Sequence, residues 1–223
     1  MFQGDSSAIT VIGIVRGRLE FAQVVRDAIL QLEPTAVVIE VPLTLRTAFM
    51  HAIDRLPLLS VIFYYSGNGK TIYRLIEPTD AMVEAARTAK ELSIDLIFGD
   101  DDSDQVIDRT PYPDPYAIGQ IGYPAYAAAC LQRQRAVVPN EVDTVRQRSM
   151  AYAAHQQAAQ GHKTLVVCAL SHAAGIQRLL YAGGLVQPLC RVRRDGVALG
   201  HLTERSSEKI LTESPYLARC YEE

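Results

Sequence analysis

Thr35-Ala36-Val37-Val38-Ile39-Glu40-Val41 is apolar at successive positions until one carboxylate interrupts it near its end. A strand with one face in water alternates apolar and polar side chains. A strand apolar throughout needs cover on both faces, the condition met in a parallel sheet with helices on either side. Toward the N-terminus, residues 9–15 form a second such run, ending at Arg16. Between the two, Phe21, Val24, Val25, Ala28, Ile29 and Leu32 recur at helical spacing, and Pro34 closes the element. The opening reads β-α-β, which makes its two strands parallel members of one sheet.

Toward the C-terminus two more runs repeat the pattern: residues 94–99 before Asp100, and residues 164–170 before Ser171 and His172. As parallel strands of one sheet, all four end on the same rim, where open α/β sheets form a crevice from strand ends and departing loops. Between these runs, Leu45, Phe49, Ile53 and Leu56 predict a helix and residues 58–65 a strand. Thr79 or Asp80 caps a helix through Leu92, with Met82, Ala85, Ala86 and Ala89 inward. Ser66-Gly67-Asn68-Gly69-Lys70-Thr71 ends like a phosphate-binding loop, but Tyr64 stands where the leading glycine is required and residues 71–75 read as extended. Asn68-Gly69 instead predicts a hairpin turn, because both residues tolerate positive φ.

Residues 103–120 are rich in Pro, Asp, Tyr and Gly without a period, and residues 123–135 and 142–160 predict helices. The stretch 103–160 therefore reads as a lid or helical insertion. A helix over 173–181, a C-terminal hairpin of 185–192 with 197–202 turning at Asp195-Gly196, and a short helix from Ser206 follow. The expected architecture is a single α/β domain over 1–223, its mainly parallel sheet covered by helices on both faces.

The 223 residues, 48% hydrophobic and 21% charged, suffice for one such core. A net charge of −3 supplies no field to recruit nucleic acid or an anionic membrane, and neither is an expected partner. Arg191, Arg193 and Arg194 read as charges on an edge strand, where they discourage sheet-to-sheet pairing. No run approaches the roughly 18 apolar residues of a membrane helix, and residues 1–7 lack the order of a signal peptide, so the cytoplasm is the expected compartment. Cys130, Cys168, Cys190 and Cys220 are dispersed without a CxxC pair, which speaks against a zinc knuckle or a disulfide scaffold.

Gly13-Ile14-Val15-Arg16, the helix after it and Pro34-Thr35-Ala36-Val37-Val38-Ile39-Glu40 resemble the opening of the TraB/PrgY, ChaN-like and Tiki superfamily. That group carries a GxxH motif at its first strand end and a glutamate on its second. Residues 85–100 resemble its block of small residues, hydrophobic strand and aspartate. Arg146-Gln147-Arg148-Ser149-Met150-Ala151 resembles its arginine-containing helix start, and Ala169-Leu170-Ser171-His172 its second GxxH motif. The resemblance covers most of residues 9–180. In Tiki-like members the GxxH histidines and the glutamate are associated with a metal-dependent peptidase or hydrolase site, and ChaN-like members with haem or iron. This chain departs from the pattern at three positions: Arg16 stands at the first histidine, Ala169 at the second motif's glycine, and Asp101 replaces the arginine of an Asp-Arg pair.

Arginine stays protonated and offers only donors, so Arg16 is no metal ligand. A metal site would use Glu40, Asp100 and His172, a set suited to Mn²⁺, Fe²⁺ or Zn²⁺, with the ion activating a bound water. A metal-free site would use Arg16 with Arg46 and Arg146 as anion-binding forks, Glu40 or His172 as general base, and Arg16 to hold an oxyanion. A structural reading pairs Arg16 with Glu40 or Asp100, because buried carboxylates require partners. The leading expectation is a divergent hydrolase of the resembled class cleaving a peptide or ester bond in a small-molecule or peptide substrate. Glu40, His172 and Arg16 would be catalytic, and Arg46 and Arg146 substrate-binding. The alternative is a non-catalytic anion-sensing or protein-interaction domain, a pseudoenzyme. His51, His155, His162 and His201 have no ligand partner in sequence, and Tyr112, Tyr116, Tyr123 and Tyr126 read as packing the lid on the body.

Overall fold

A computed structural model of the chain describes residues 8–66, 69–103, 112–134, 140–189, 192, 194, 196–211 and 214–223. Its elements run β1 (Ile9–Ile14), α1 (Leu19–Leu32), β2 (Ala36–Pro42), α2 (Arg46–Ile53), β3 (Ser60–Tyr65), β4 (Thr71–Ile76), α3 (Ala81–Glu91) and β5 (Asp95–Asp100). They continue with α4 (Ile118–Ile121), α5 (Tyr123–Gln134), α6 (Glu141–Ala159), β6 (Thr164–Ala169), α7 (Leu170–Ala182), β7 (Ala198–His201), α8 (Glu204–Ile210) and α9 (Pro215–Glu222). The four runs read from the sequence are the four strands of one all-parallel sheet, in the order β1-β6-β2-β5. A second sheet, β4-β3-β7, is antiparallel.

Alternation along the buried strands divides their side chains between two cores. Ile12, Ile14, Val37, Ile39, Leu165 and Val167 pack with Phe21 and Val25 of α1 and Met82 and Ala86 of α3. Val38, Val166 and Cys168 turn the other way, onto Met150, Ala151 and Ala154 of α6 and Ala173 and Ile176 of α7. All seven residues of β2 are buried, the double cover its unbroken apolar run requires. At about 1.5–3 kcal/mol for each large side chain buried, this two-faced packing outweighs any single cap or ion pair in the molecule. The order of packing changes hand at this rim: β1 leads into α1 on the first face, while its neighbour β6 leads into α7 on the second.

Two glycines set how closely these layers approach. A Cβ at Gly13 would lie 2.9 Å from the Cα of Leu170, so only glycine lets α7 start directly against β1. A Cβ at Gly175 would lie 2.0 Å from Oε1 of Gln147, which sits in the α6–α7 seam. The start of α3 is fixed by Asp80, whose side chain accepts the N–H groups of Met82 at 2.8 Å and Val83 at 3.3 Å. α5 covers the free edge of β1: the Tyr123 hydroxyl accepts the Gly13 N–H and donates to the Gly13 carbonyl, both at 3.0 Å. Phe21 meets the rings of Tyr123 and Tyr126 edge-on. α6 lies along the second face of the parallel sheet, against β5, β2 and β6.

β3 and β4 pair from Ser60↔Ile76 to Tyr65↔Thr71, a hairpin closing where one was expected, although residues 67 and 68 of its turn lie outside the described residues. The C-terminal hairpin differs. Residues 185–189 form no strand, and β7 pairs with β3, from Ser60↔His201 to Phe63↔Ala198. The outer edge of β3 offers a row of unpaired backbone groups, and β7 satisfies them. Gly200 fits there because a Cβ would lie 2.8 Å from the Phe63 ring. Cys190, Arg191, Arg193 and Asp195 lie outside the described residues. Among the described residues, no helix is long and apolar enough to cross a membrane.

Candidate functional site

The rim brings four of the expected residues together, from four elements. Glu40 ends the apolar run of β2, Asp100 closes β5, Arg146 lies in the first half of α6, and His172 in the first turn of α7. Arg146 grips Asp100 with two bonds, Nε to Oδ1 at 2.8 Å and Nη2 to Oδ2 at 2.6 Å, and Nη2 also donates to Oε1 of Glu40 at 2.7 Å. The second oxygen of Glu40 accepts the Ala169 N–H at 2.5 Å and lies 3.3 Å from Nδ1 of His172. The chain of contacts ends at Asp143, whose Oδ1 is 3.2 Å from Nε2 of His172. Asn140 places Asp143 by capping α6 and accepting the Asp143 N–H at 2.8 Å.

These groups are deeply buried: Glu40 is 0% exposed, His172 1%, Arg146 4% and Asp100 7%. Burial opposes ionisation of Glu40. The His172 hydrogen bond, the Arg146 charge and the Ala169 N–H outweigh it and bring its pKa down to about 2. Burial likewise opposes the His172 imidazolium, but the hydrogen bond and charge of Glu40 raise its pKa. Burial pushes Asp100 up while Arg146 pulls against it, and Arg146 itself is held more firmly protonated by its two carboxylates than by burial it is weakened. Arg146 and His172 thus favour the ionised form of Glu40, while burial shifts Asp100 the other way.

The remaining expected residues lie around this cluster. Arg16 does not pair with Glu40 or Asp100; its Nε donates to Oδ2 of Asp80 at 3.3 Å, and its side chain stays 27% exposed. The exposed Arg46 sits over the Phe98 ring, 5.9 Å from its centroid. Arg146, expected to bind substrate, is held by Asp100 and Glu40. The structure adds Asp143, Asp80, Arg74 and the pair Asp102–Arg194, in which Nε of Arg194 lies 2.7 and 2.8 Å from the two carboxylate oxygens and the guanidinium covers Tyr64 at 4.3 Å. Asp143 looks in sequence like any acid in a first helical turn. Arg74 carries one signal, a charge at an inward position of a strand.

The donor set does not fit the metal that the resemblance implies. Arg146 already occupies the space between Glu40 and Asp100, and both ring nitrogens of His172 face carboxylates. Among the described residues, no group of three or more His, Cys, Asp or Glu side chains is arranged to hold a metal ion. Comparison with family models, with curated proteins and with solved structures gave no match.

Proposed function

We propose that this chain is a small-anion-binding α/β domain that holds its ligand at the strand-end crevice through Arg16. The Asp100–Arg146–Glu40–His172–Asp143 chain then serves as the charged floor of the site. One observation carries the reading. The buried acids of the floor all have partners, whereas Arg16 uses only Nε on Asp80 and has no other partner among the described residues. A guanidinium with free Nη groups at a strand end is a fork for carboxylate or phosphate oxygens.

The test is a thermal-melting titration of the protein and of Arg16→Gln with phosphate and acetate at fixed ionic strength. A midpoint that rises with the anion in wild type and stays flat in Arg16→Gln is the expected result. An unresponsive wild type would sink the proposal.

The hydrolytic reading, cleavage of a peptide or ester bond at the same crevice, is supported by one contact set: Asp143 and Glu40 flank His172 as carboxylates flank a catalytic imidazole. It predicts turnover of a peptide or ester panel that disappears in both Glu40→Gln and His172→Ala. Turnover absent in wild type, beside an Arg16-dependent anion response, decides for the binding domain.

A further inference from the structure

β4 is an edge strand whose inward positions carry a charge. Its register pairs Arg74 with Ile62, which is 0% exposed, while the neighbouring pair Phe63↔Tyr73 faces outward. Side chains at directly opposed positions share a face, so Arg74 projects toward the core side of the second sheet. Its Nη1 is sealed from solvent without a hydrogen-bond partner, and the guanidinium forms no ion pair with any described residue. It lies within electrostatic reach of Arg16, Asp100, Tyr64 and Asp80. The two nearby acids are already engaged: Asp100 by both arms of Arg146, and Asp80 by the first amides of α3 and Nε of Arg16. Arg16 and Arg74 therefore bear on one another electrostatically while both of these acids already have other partners. Burial, and then the charge of Arg16, lower the Arg74 pKa to about 10, the direction expected of a partly buried cation near a second one.

We propose that Arg74 is the second arm of the anion site, and that the Arg16–Arg74 pair selects a phosphate group, free or as a monoester, over a carboxylate. The inference rests on the reading of Arg16 given above. A carboxylate brings one charge and two oxygens in a plane, enough for one fork. A phosphate group brings roughly −1.5 to −2 charge near pH 7 and three oxygens pointing in different directions. It can therefore serve two forks arriving from separate elements, one after β1 and one on β4. An inward charge on an edge strand has another known use, since it deters pairing with a second sheet. That use predicts self-association on removal of the charge, and no change in ligand binding.

The experiment is calorimetric and thermal titration with inorganic phosphate, phenyl phosphate and acetate at constant ionic strength, on wild type, Arg16→Gln, Arg74→Met and Arg74→Lys. The expected result is that both phosphates bind and raise the melting midpoint while acetate binds at least about tenfold more weakly. Arg74→Met should lose the phosphate response yet melt higher than wild type in plain buffer, because a sealed and unpartnered Nη1 has gone. Arg74→Lys, which keeps the charge and loses the fork, should bind phosphate about fivefold to tenfold more weakly. Tighter binding of phenyl phosphate would assign the site to a monoester, and tighter binding of inorganic phosphate to the free ion. Phosphate binding unchanged in Arg74→Met, or in Arg74→Lys should the methionine variant fail to fold, overturns the proposal. So does acetate binding as tightly as phosphate, or self-association of Arg74→Met with phosphate binding intact. A wild type indifferent to every anion, or a response undiminished in Arg16→Gln, instead defeats the underlying reading of Arg16.

Discussion

Arg146 carries more of the rim than its place on a solvent-flanked helix suggests. With Asp100 and Glu40 both on its guanidinium, Arg146→Met leaves two buried carboxylates facing each other. Breaking a buried pair from one side costs about 3–5 kcal/mol, and urea denaturation should record a loss of that size. The pH dependence has two limbs. Glu40 titrates at about 2 in the fold against 4.5 ordinarily, so its contribution is complete above 4.5 and fades as the pH falls toward 2. His172 is raised above 6.5, so its contribution is complete below 6.5 and fades as the pH rises through the higher folded value. Asp100, raised above 3.8, runs opposite to Glu40 and blunts its acid limb, so the denaturation midpoint should fall as the pH rises above 6.5. His172→Gln should flatten the alkaline limb and also weaken the acid one, because the His172 hydrogen bond helps hold the Glu40 pKa down. The strand-end rule made Glu40, Asp100 and His172 visible in the sequence. What stayed hidden was who neutralises whom, because Arg146 lies 46 residues from Asp100 and 106 from Glu40.

At the scale of elements, local patterns were readable wherever the partner was a neighbour in sequence or a uniform apolar layer. β2 declared its double cover, and Asp80 declared the start of α3. Asp80→Ala should remove about 1 kcal/mol of cap stability and detach Arg16, measurable as a lower midpoint together with weaker anion binding. β7 was legible as extended but not in its pairing, since four residues in a strand state nothing about which free edge will take them. Close approach was equally silent. Gly13→Ala forces α7 away from β1, and overpacking of this kind should destabilise the protein by about 1–3 kcal/mol in the same urea assay.

Across the whole molecule, the parallel sheet carries Glu40 and Asp100 of the charged floor, and the antiparallel sheet carries Arg74. The floor itself joins β2, β5, α6 and α7 through contacts spanning 46, 106 and 132 residues. Such contacts form only after long loops have closed, so the charges remain hydrated while the apolar layers assemble. The rim then becomes a late event on the route to the native state and an early casualty on the way out. In a stopped-flow chevron, Arg146→Met should leave the refolding arm nearly in place and raise the unfolding rate, so that the pairing acts chiefly as a brake on how often the finished molecule opens.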